Sequence, residues 1–205
     1  MIKGVKGKKS FIRDIEFLYE IGTARYVERM WRQHFGLPMA NILEHIMRVQ
    51  YLALIIARAE GVKNEEKIMK MALIHDLPEI RGVDLNHAKK AYVKVDEEKA
   101  ADDMFAGTSL MSLREEVLRE YDKRESVESK IVKDADNLDI DLELKEMAKK
   151  GAKLPDQWKP HRKHVRNTKL YTKTAKKIWD EIQKSDPDSW HLASNKWLWN
   201  KKSGK

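Results

Sequence analysis

The chain has 205 residues, of which 41% are hydrophobic and 36% are charged, and it contains no cysteine. Disulfides, thiolate metal sites and cysteine nucleophiles are therefore excluded, so a metal would need His, Asp or Glu ligands. No apolar run approaches the roughly 20 residues of a membrane span, and the basic N-terminus lacks the apolar core of a signal peptide. We expect one cytoplasmic domain over residues 1–205, without membrane association.

The net charge of +8 is unevenly distributed. Residues 149–177 contain eleven Lys or Arg against a single acid, Asp156, whereas the rest of the chain carries 30 basic and 32 acidic groups. Such a segment is either a solvated basic face, an attractive field for an anionic substrate, or a nucleic-acid surface. Because no RNP, zinc-finger or basic-zipper pattern is present, a nucleic-acid partner is not expected.

The spacing of apolar residues is helical throughout, without sustained alternation or hairpin turns, and predicts an all-α fold. Ser10 is expected to cap a first helix. One side of that helix carries three apolar residues, Phe11, Ile15 and Leu18. Thr23 is expected to cap a short second helix through Trp31, and residues 34–40 are expected to form a loop.

A long helix is predicted from its N-cap, Asn41, to about Glu60, with His45 on its apolar face. A lone His in such a position is either a satisfied core residue or a ligand. Asn64 is expected to cap the next helix, which Pro78 ends.

The stretch from residue 71 to residue 84, MALIHDLPEIRGVD, concentrates ionisable side chains after an apolar run. It contains the adjacent pair His75 and Asp76, followed by Glu79 and Asp84. A buried His or carboxylate is destabilising unless it is paired, hydrogen-bonded or bound to a metal. We therefore interpret this stretch as the centre of a metal site.

Further helices are predicted from Asp96 to Phe105, from a capping box at residues 112–115 to about Tyr121, and from Ser126 through Lys150. In the last of these, Asp136 has apolar neighbours four residues before and after it. Residues 152–167 contain two prolines and are expected to form a loop.

A final helix is predicted over about residues 168–183. The tail after it contains Trp190, Trp197 and Trp199, which we expect to pack onto the body of the protein or onto a second subunit.

Three predicted helices thus offer candidate ligands in the order His45, His75 with Asp76, and Asp136, an arrangement that helical bundles use for metal sites. The sequence contains further features that, together with these ligands, form a specific pattern. They are Glu44 before His45, Glu79, Gly82 with Asp84, and the stretch Lys-Ile-Val-Lys-Asp-Ala-Asp-Asn at residues 130–137. Over about residues 10–150 the sequence resembles the HD-domain metal-dependent phosphohydrolases, and among them the bacterial 5′-deoxynucleotidase-like group.

The resemblance implies an all-α HD-domain helical bundle, with its core at about residues 10–150 and a basic C-terminal helical extension at about 151–205. It also implies a homodimer and one divalent ion with four protein ligands, His45, His75, Asp76 and Asp136. Imidazole and carboxylate ligands do not select among Mn, Co, Fe, Ni, Zn and Mg. A dinuclear site is disfavoured because His87 is the only His between the His75-Asp76 pair and Asp136.

The resemblance further implies that Glu79 and Asp84 lie close to the attacking water. Each is a candidate general acid or base, and the alternative for each is to orient a ligand. In the resembled nucleotidases an Arg and a Trp upstream of the first ligand His contact the nucleotide. In this chain Arg29, Trp31 and Arg32 lie in that region, and we favour Arg32 as the arginine that contacts the nucleotide. The alternative for Trp31 is packing in the core.

The expected function is divalent-metal-dependent removal of phosphate from 5′-(deoxy)nucleoside monophosphates by a metal-activated water. One alternative is a deoxynucleoside triphosphate triphosphohydrolase with the same metal site. An alternative from another class is a non-catalytic, metal-stabilised module that binds nucleic acid or a protein partner.

Overall fold

The computed structural model describes residues 10–86 and 88–192, and this part of the chain is all-α, as predicted. It contains no β-strand there, only an isolated bridge between Glu28 and Asn41. No helix in this part is long and apolar enough to cross a membrane. The α-helices of the described part are α1 (Ile12–Thr23), α2 (Arg32–Phe35), α3 (Ile42–Glu60), α4 (Glu65–Ile74), α5 (Glu97–Phe105), α6 (Arg119–Lys123), α7 (Val127–Lys149), α8 (Leu154–Thr168), α9 (Lys173–Lys184) and α10 (Ser189–Leu192).

Helix α3 is at the centre of the bundle, where it packs against α4, α7 and α9. The predicted starts of the central helices are confirmed. At each start a polar side chain satisfies a backbone N–H group that has no partner within the helix. Asn41 and Glu44 form a reciprocal capping box at α3, Asn64 accepts from the backbone of Lys67 at α4, and Ser126 caps α7. The buried apolar faces of these helices form one continuous core.

The prediction of a second helix ending at Trp31 is wrong. The chain forms a short 3₁₀ turn at Ala24–Tyr26 and then becomes extended at Val27. There it pairs with the residues that precede α3, and the backbone N–H of Ile42 donates to the carbonyl of Val27 at 3.0 Å. The side of α1 that carries Ile15 and Leu18 is exposed to solvent. The helix buries Phe17, on another side, in the core.

The prediction of a loop over residues 152–167 is wrong, because α8 occupies Leu154–Thr168. Pro155 lies in the first turn, where its missing N–H would have no partner in any case, and the helix continues through Pro160. The last long helix, α9, begins at Lys173 rather than near residue 168. It is capped by Thr172.

Two further features of the sequence differ in the structure. Ser112 makes no side-chain cap, because helical structure is already present at Met111 and continues as a π-helical segment, Leu113–Leu118, into α6.

In the tail, Trp190 is exposed and contacts the ring of His191. Trp197 and Trp199 lie outside the described residues. The division at about residue 150 stays a prediction, although α8 and α9 pack directly on α7.

Candidate metal centre and cleft

Three helices bring their candidate ligands into one cluster. His45 lies within α3, His75 and Asp76 follow the last turn of α4, and Asp136 lies in α7. Because α3 packs against both α4 and α7, these residues meet although they are far apart in the chain. Pro78 disfavours helical geometry at Leu77, the residue before it. Helix α4 therefore ends at Ile74, and His75 and Asp76 follow directly after it.

The four side chains are close enough to share one ion. The Nε2 atom of His45 is 3.1 Å from Asp76 Oδ2 and 3.3 Å from Asp136 Oδ1. The Nε2 atom of His75 is 3.4 Å from Asp76 Oδ1. One ligand atom from each of the four residues lies within 4.8 Å of the others.

The two imidazole rings are oriented as metal ligands. His45 Nδ1 lies 2.6 Å from Asp139 Oδ2, and His75 Nδ1 lies 2.8 Å from the carbonyl of Ala72. Both neighbours are acceptors, so the neutral form of each ring carries its proton on Nδ1 and presents the lone pair of Nε2 to the cluster. Both Nε2 atoms are buried without a hydrogen bond in the described structure. Two unpaired imidazole nitrogens between two carboxylates fit a divalent ion.

Asp139 and Arg48 support His45 from behind. Burial alone would raise the pKa of Asp139, but hydrogen bonding to His45 and the positive charge of Arg48 lower it below its ordinary value. Arg48 pairs with Asp139 and donates from Nη1 to Glu146 at 2.8 Å. The ring of His45 is thus fixed by a chain of contacts that reaches the surface.

Glu79 places a largely buried carboxyl group beside the cluster. Its Oε2 atom is buried and makes no hydrogen bond in the described structure. Burial raises the pKa of Glu79 to about 9, and the negative charges of Asp76 and Asp84 contribute to the shift. A carboxyl group in this environment holds a proton at neutral pH.

Asp84 connects the loop after α4 to the segment before α2. Its Oδ2 atom is 3.1 Å from Arg29 Nε and accepts a hydrogen bond from the backbone N–H of Met30 at 3.0 Å. Arg29 also approaches Asp76, with 3.4 Å between Nη1 and Oδ2. Asp84 therefore holds the guanidinium of Arg29 beside the metal cluster.

A cleft opens next to the cluster, with charged groups of both signs on its walls. Its residues are Arg29, Trp31, Asp76, Glu79, Asp84, Leu85, Lys90, Lys133, Asp136, Asn137, Ile140 and Arg162. Lys133 Nζ lies 2.6 Å from Asp136 Oδ2, so a cation contacts one of the candidate ligands directly.

The structure brings six of the nine residues proposed from the sequence into the lining of this cleft, and His45 and His75 lie in the buried cluster beside it. Arg29 and Trp31 line it, whereas Arg32 does not and instead pairs with Glu28 on the surface. Trp31 also packs against Trp158 of α8, with 5.0 Å between ring centroids. His87 lies outside the described residues.

Several cleft and supporting residues were not found from the sequence. Lys133 and Asp139 lie three residues before and after Asp136, so helical spacing alone could have placed them on the same side of α7. Lys90 and Arg162 had no such signal. Arg162 lies in residues 152–167, which were predicted to form a loop because they contain two prolines.

Comparison with known proteins identifies the family. A family model described as HD domain matches residues 21–184. The chain belongs to the HD-domain family. Over 138 residues this HD-domain protein is 29% identical to the protein named 5′-deoxynucleotidase HDDC2 from Danio rerio. The aligned region covers 64% of this chain and 68% of that protein.

Solved structures share the fold of this HD-domain protein. A conserved hypothetical protein from Pyrococcus furiosus superposes with a TM-score of 0.69 at 26% identity, over 83% of this chain and 99% of the other. A structure from Magnetospirillum magnetotacticum MS-1, named a metal-dependent phosphohydrolase by prediction, gives a TM-score of 0.64 at 21% identity, over 85% and 94% of the two chains. At that identity the second likeness concerns the fold alone.

Proposed function

We propose that this HD-domain protein is a divalent-metal-dependent phosphohydrolase that removes phosphate from 5′-(deoxy)nucleoside monophosphates. The observation that carries the proposal is the cluster of His45, His75, Asp76 and Asp136, whose two imidazoles present unpaired Nε2 atoms. The name of the Danio rerio relative supports the nucleotide substrate.

We assign the four clustered residues as the ligands of one divalent ion. Such an ion, when bound, supplies a water of lowered pKa and neutralises charge on a phosphoryl oxygen. The donor set is compatible with Mn, Co, Fe, Ni, Zn and Mg. Asp139 and the carbonyl of Ala72 keep both rings in the tautomer that such binding requires.

We assign Glu79 as the general acid of the reaction. Its carboxyl group lines the cleft beside Asp76, and burial raises its pKa to about 9. A group that keeps its proton at neutral pH can donate that proton to the departing 5′ oxygen of the nucleoside. After transfer, the carboxylate can recover a proton from solvent through the cleft.

We assign Arg29 as a phosphate-binding group and Asp84 as the residue that positions it. Asp84 engages Nε of Arg29, which leaves the terminal nitrogens of the guanidinium directed toward Asp76 and the cleft. A guanidinium fork suits phosphate oxygens. Trp31 offers an apolar surface in the same cleft for a nucleobase or sugar.

The charge balance of the cleft also favours an anionic substrate. Four cationic side chains and four carboxyl groups line it. Because Arg162 is paired with Asp141 and Glu79 is protonated, three cations and three carboxylates remain, and a bound divalent ion leaves two positive charges in excess. A phosphate monoester carries about two negative charges at neutral pH. The match supports a monoester dianion as the substrate.

The decisive experiment is hydrolysis of nucleoside mono-, di- and triphosphates with each candidate metal, with the product identified by ion chromatography. Orthophosphate from monophosphates, lost in Asp76→Ala and retained in the surface control Asp180→Ala, is the expected result. Asp180 pairs with Arg166 away from the cleft and is a matched carboxylate.

Two other results would redirect the assignment. Triphosphate released from a deoxynucleoside triphosphate would make the protein a triphosphohydrolase with the same ligands. No hydrolysis across the panel with metal bound, together with RNA or DNA binding that weakens steeply with salt, would favour the non-catalytic module.

We also propose that the protein forms a homodimer. Apolar side chains on the outer side of α1 remain exposed, and an exposed apolar patch commonly marks an interface. They are Phe11, Ile12, Ile15, Leu18 and Tyr19. Light scattering on the wild type and on Ile15→Glu tests this: a dimer that the substitution converts to a monomer is expected, and a monomeric wild type contradicts it. A cytoplasmic location stays a prediction.

A further inference from the structure

Helix α8, in the basic C-terminal part of the chain, forms one wall of the cleft. Its Trp158 packs edge-on against Trp31, and Arg162, one turn later, lines the cleft itself. Residues four apart lie on the same side of a helix, so one face of α8 contacts the cleft at two places.

The guanidinium of Arg162 is buried and held in one plane. Its Nε donates to Asp141 Oδ1 at 3.0 Å, and its Nη2 donates to Asp141 Oδ2 at 2.7 Å. Nη2 also donates to the carbonyl of Asn137 at 2.6 Å. Only 7% of the side chain is exposed. The two N–H groups of Nη1 make no hydrogen bond within the described structure and remain available.

Arg162 lies between two spaces and lines both the cleft and a small cavity between α7, α8 and α9. Asp141, which occupies one edge of the guanidinium, lines that cavity and not the cleft. Asn137, in contrast, lines the cleft and directly follows the candidate ligand Asp136. The anchoring contacts therefore hold one edge of Arg162 toward Asp141 and leave Nη1 as the nitrogen without a hydrogen bond in the described structure.

A purely structural role would not require a charged pair at this position. Removing an Arg and an Asp from water is unfavourable, and well-packed apolar residues dock helices equally well or better. A donor pre-oriented by a carboxylate, in contrast, is what anion recognition requires, because little conformational freedom is lost when the anion binds.

We propose that Arg162 binds a non-bridging phosphate oxygen of the substrate through Nη1, which makes α8 part of the substrate site. The inference deepens the proposed function by adding a second guanidinium to that of Arg29. The contact is charge-assisted and lies in a buried site, so its loss should weaken phosphate binding about tenfold to a hundredfold.

The test compares two matched Arg–Asp pairs whose arginines both lie on α8. Arg162→Gln combined with Asp141→Asn removes the buried pair without leaving an unpaired buried carboxylate. Arg166→Gln combined with Asp180→Asn removes the surface pair one turn later, where Arg166 contacts Asp180 through Nε and Nη2 in the same way. Circular dichroism, thermal unfolding and metal affinity establish that both double variants remain folded and metal-binding.

The readout is the affinity of the Mg²⁺-loaded protein for inorganic phosphate, measured by calorimetry and, where turnover occurs, by product inhibition and KM. The expected result is a weakening of about tenfold or more in the Arg162 double variant and no change in the Arg166 double variant. Equal phosphate affinity in the wild type and a folded Arg162 double variant would overturn the proposal. Arg162→Lys, which keeps the charge but loses the fork, should bind with intermediate affinity.

This test is independent of the proposed reaction. Calorimetry measures phosphate binding without turnover, so a protein that hydrolyses nothing can still support or overturn the role of Arg162. Absence of hydrolysis by the wild type contradicts the proposed function, whereas unchanged phosphate affinity in the double variant contradicts this inference alone.

Discussion

Asp139→Asn is the sharpest test of how the metal site is built. The substitution keeps the size of the side chain but removes the negative charge that faces Nδ1 of His45 at 2.6 Å. It should leave the four candidate ligands in place. It should also weaken the preference of His45 for the tautomer that directs the Nε2 lone pair into the cluster.

The size of the effect follows from the contact that is lost. A hydrogen bond to a charged group contributes about 1.5–3 kcal/mol, which corresponds to about tenfold to a hundredfold in an equilibrium constant. Loss of an outer partner of a ligand His typically lowers metal affinity by about the same factor. We therefore expect the dissociation constant for Mn²⁺ or Co²⁺ to rise about tenfold to a hundredfold.

The assay is competition for the metal with a chromophoric chelator, run beside thermal unfolding of the metal-free protein. Glu146→Gln serves as the control, because Glu146 contacts Arg48 at the exposed end of the same chain of contacts. It should change the dissociation constant by less than about twofold, as exposed ion pairs contribute little. Unchanged metal affinity in folded Asp139→Asn would refute the reasoning.

Three further predictions concern the fold. Asn41→Ala removes one half of the capping box with Glu44 and should lower the free energy of unfolding in urea by about 1 kcal/mol. Phe105→Ala leaves a cavity in the core and should lower the same quantity by about 3–5 kcal/mol. Hydrogen bonds from Thr174 lower the pKa of Glu60 below 4.5, so ionised Glu60 stabilises the fold above that pH and the contribution is lost as the pH falls. Denaturation series from pH 7 to about pH 3 should therefore show a weaker acid dependence for Glu60→Gln than for the wild type.

The sequence predicted best where the decisive information is local. The starts of α3, α4 and α7 followed from caps next to apolar periodicity, and their bounds agree within a few residues with the structure. The grouping of His45, His75, Asp76 and Asp136 followed from their positions on three such helices. The family resemblance then implied that these four residues hold one divalent ion, which composition alone could not.

The errors arose where tertiary contacts override local preference. Residues 24–31 have helical composition, but after the 3₁₀ turn at Ala24–Tyr26 the chain becomes extended at Val27, where it pairs with the residues before α3. Residues 154–168 contain two prolines, yet one lies in the first turn of α8 and the helix tolerates the other. The contributions of Arg162 and Lys90 could not be predicted, since they depend on which segments pack beside α7.

The distribution of the candidate ligands over the chain also sets the order in which the proposed metal site is completed during synthesis. His45, His75 and Asp76 belong to the closely packed α3–α4 pair, but Asp136 and the partner of His45, Asp139, arrive with α7 about sixty residues later. At a translation rate of roughly 5–20 residues per second, that delay is about 3–12 s. A nascent chain therefore presents three of the four candidate ligands before the fourth is synthesised.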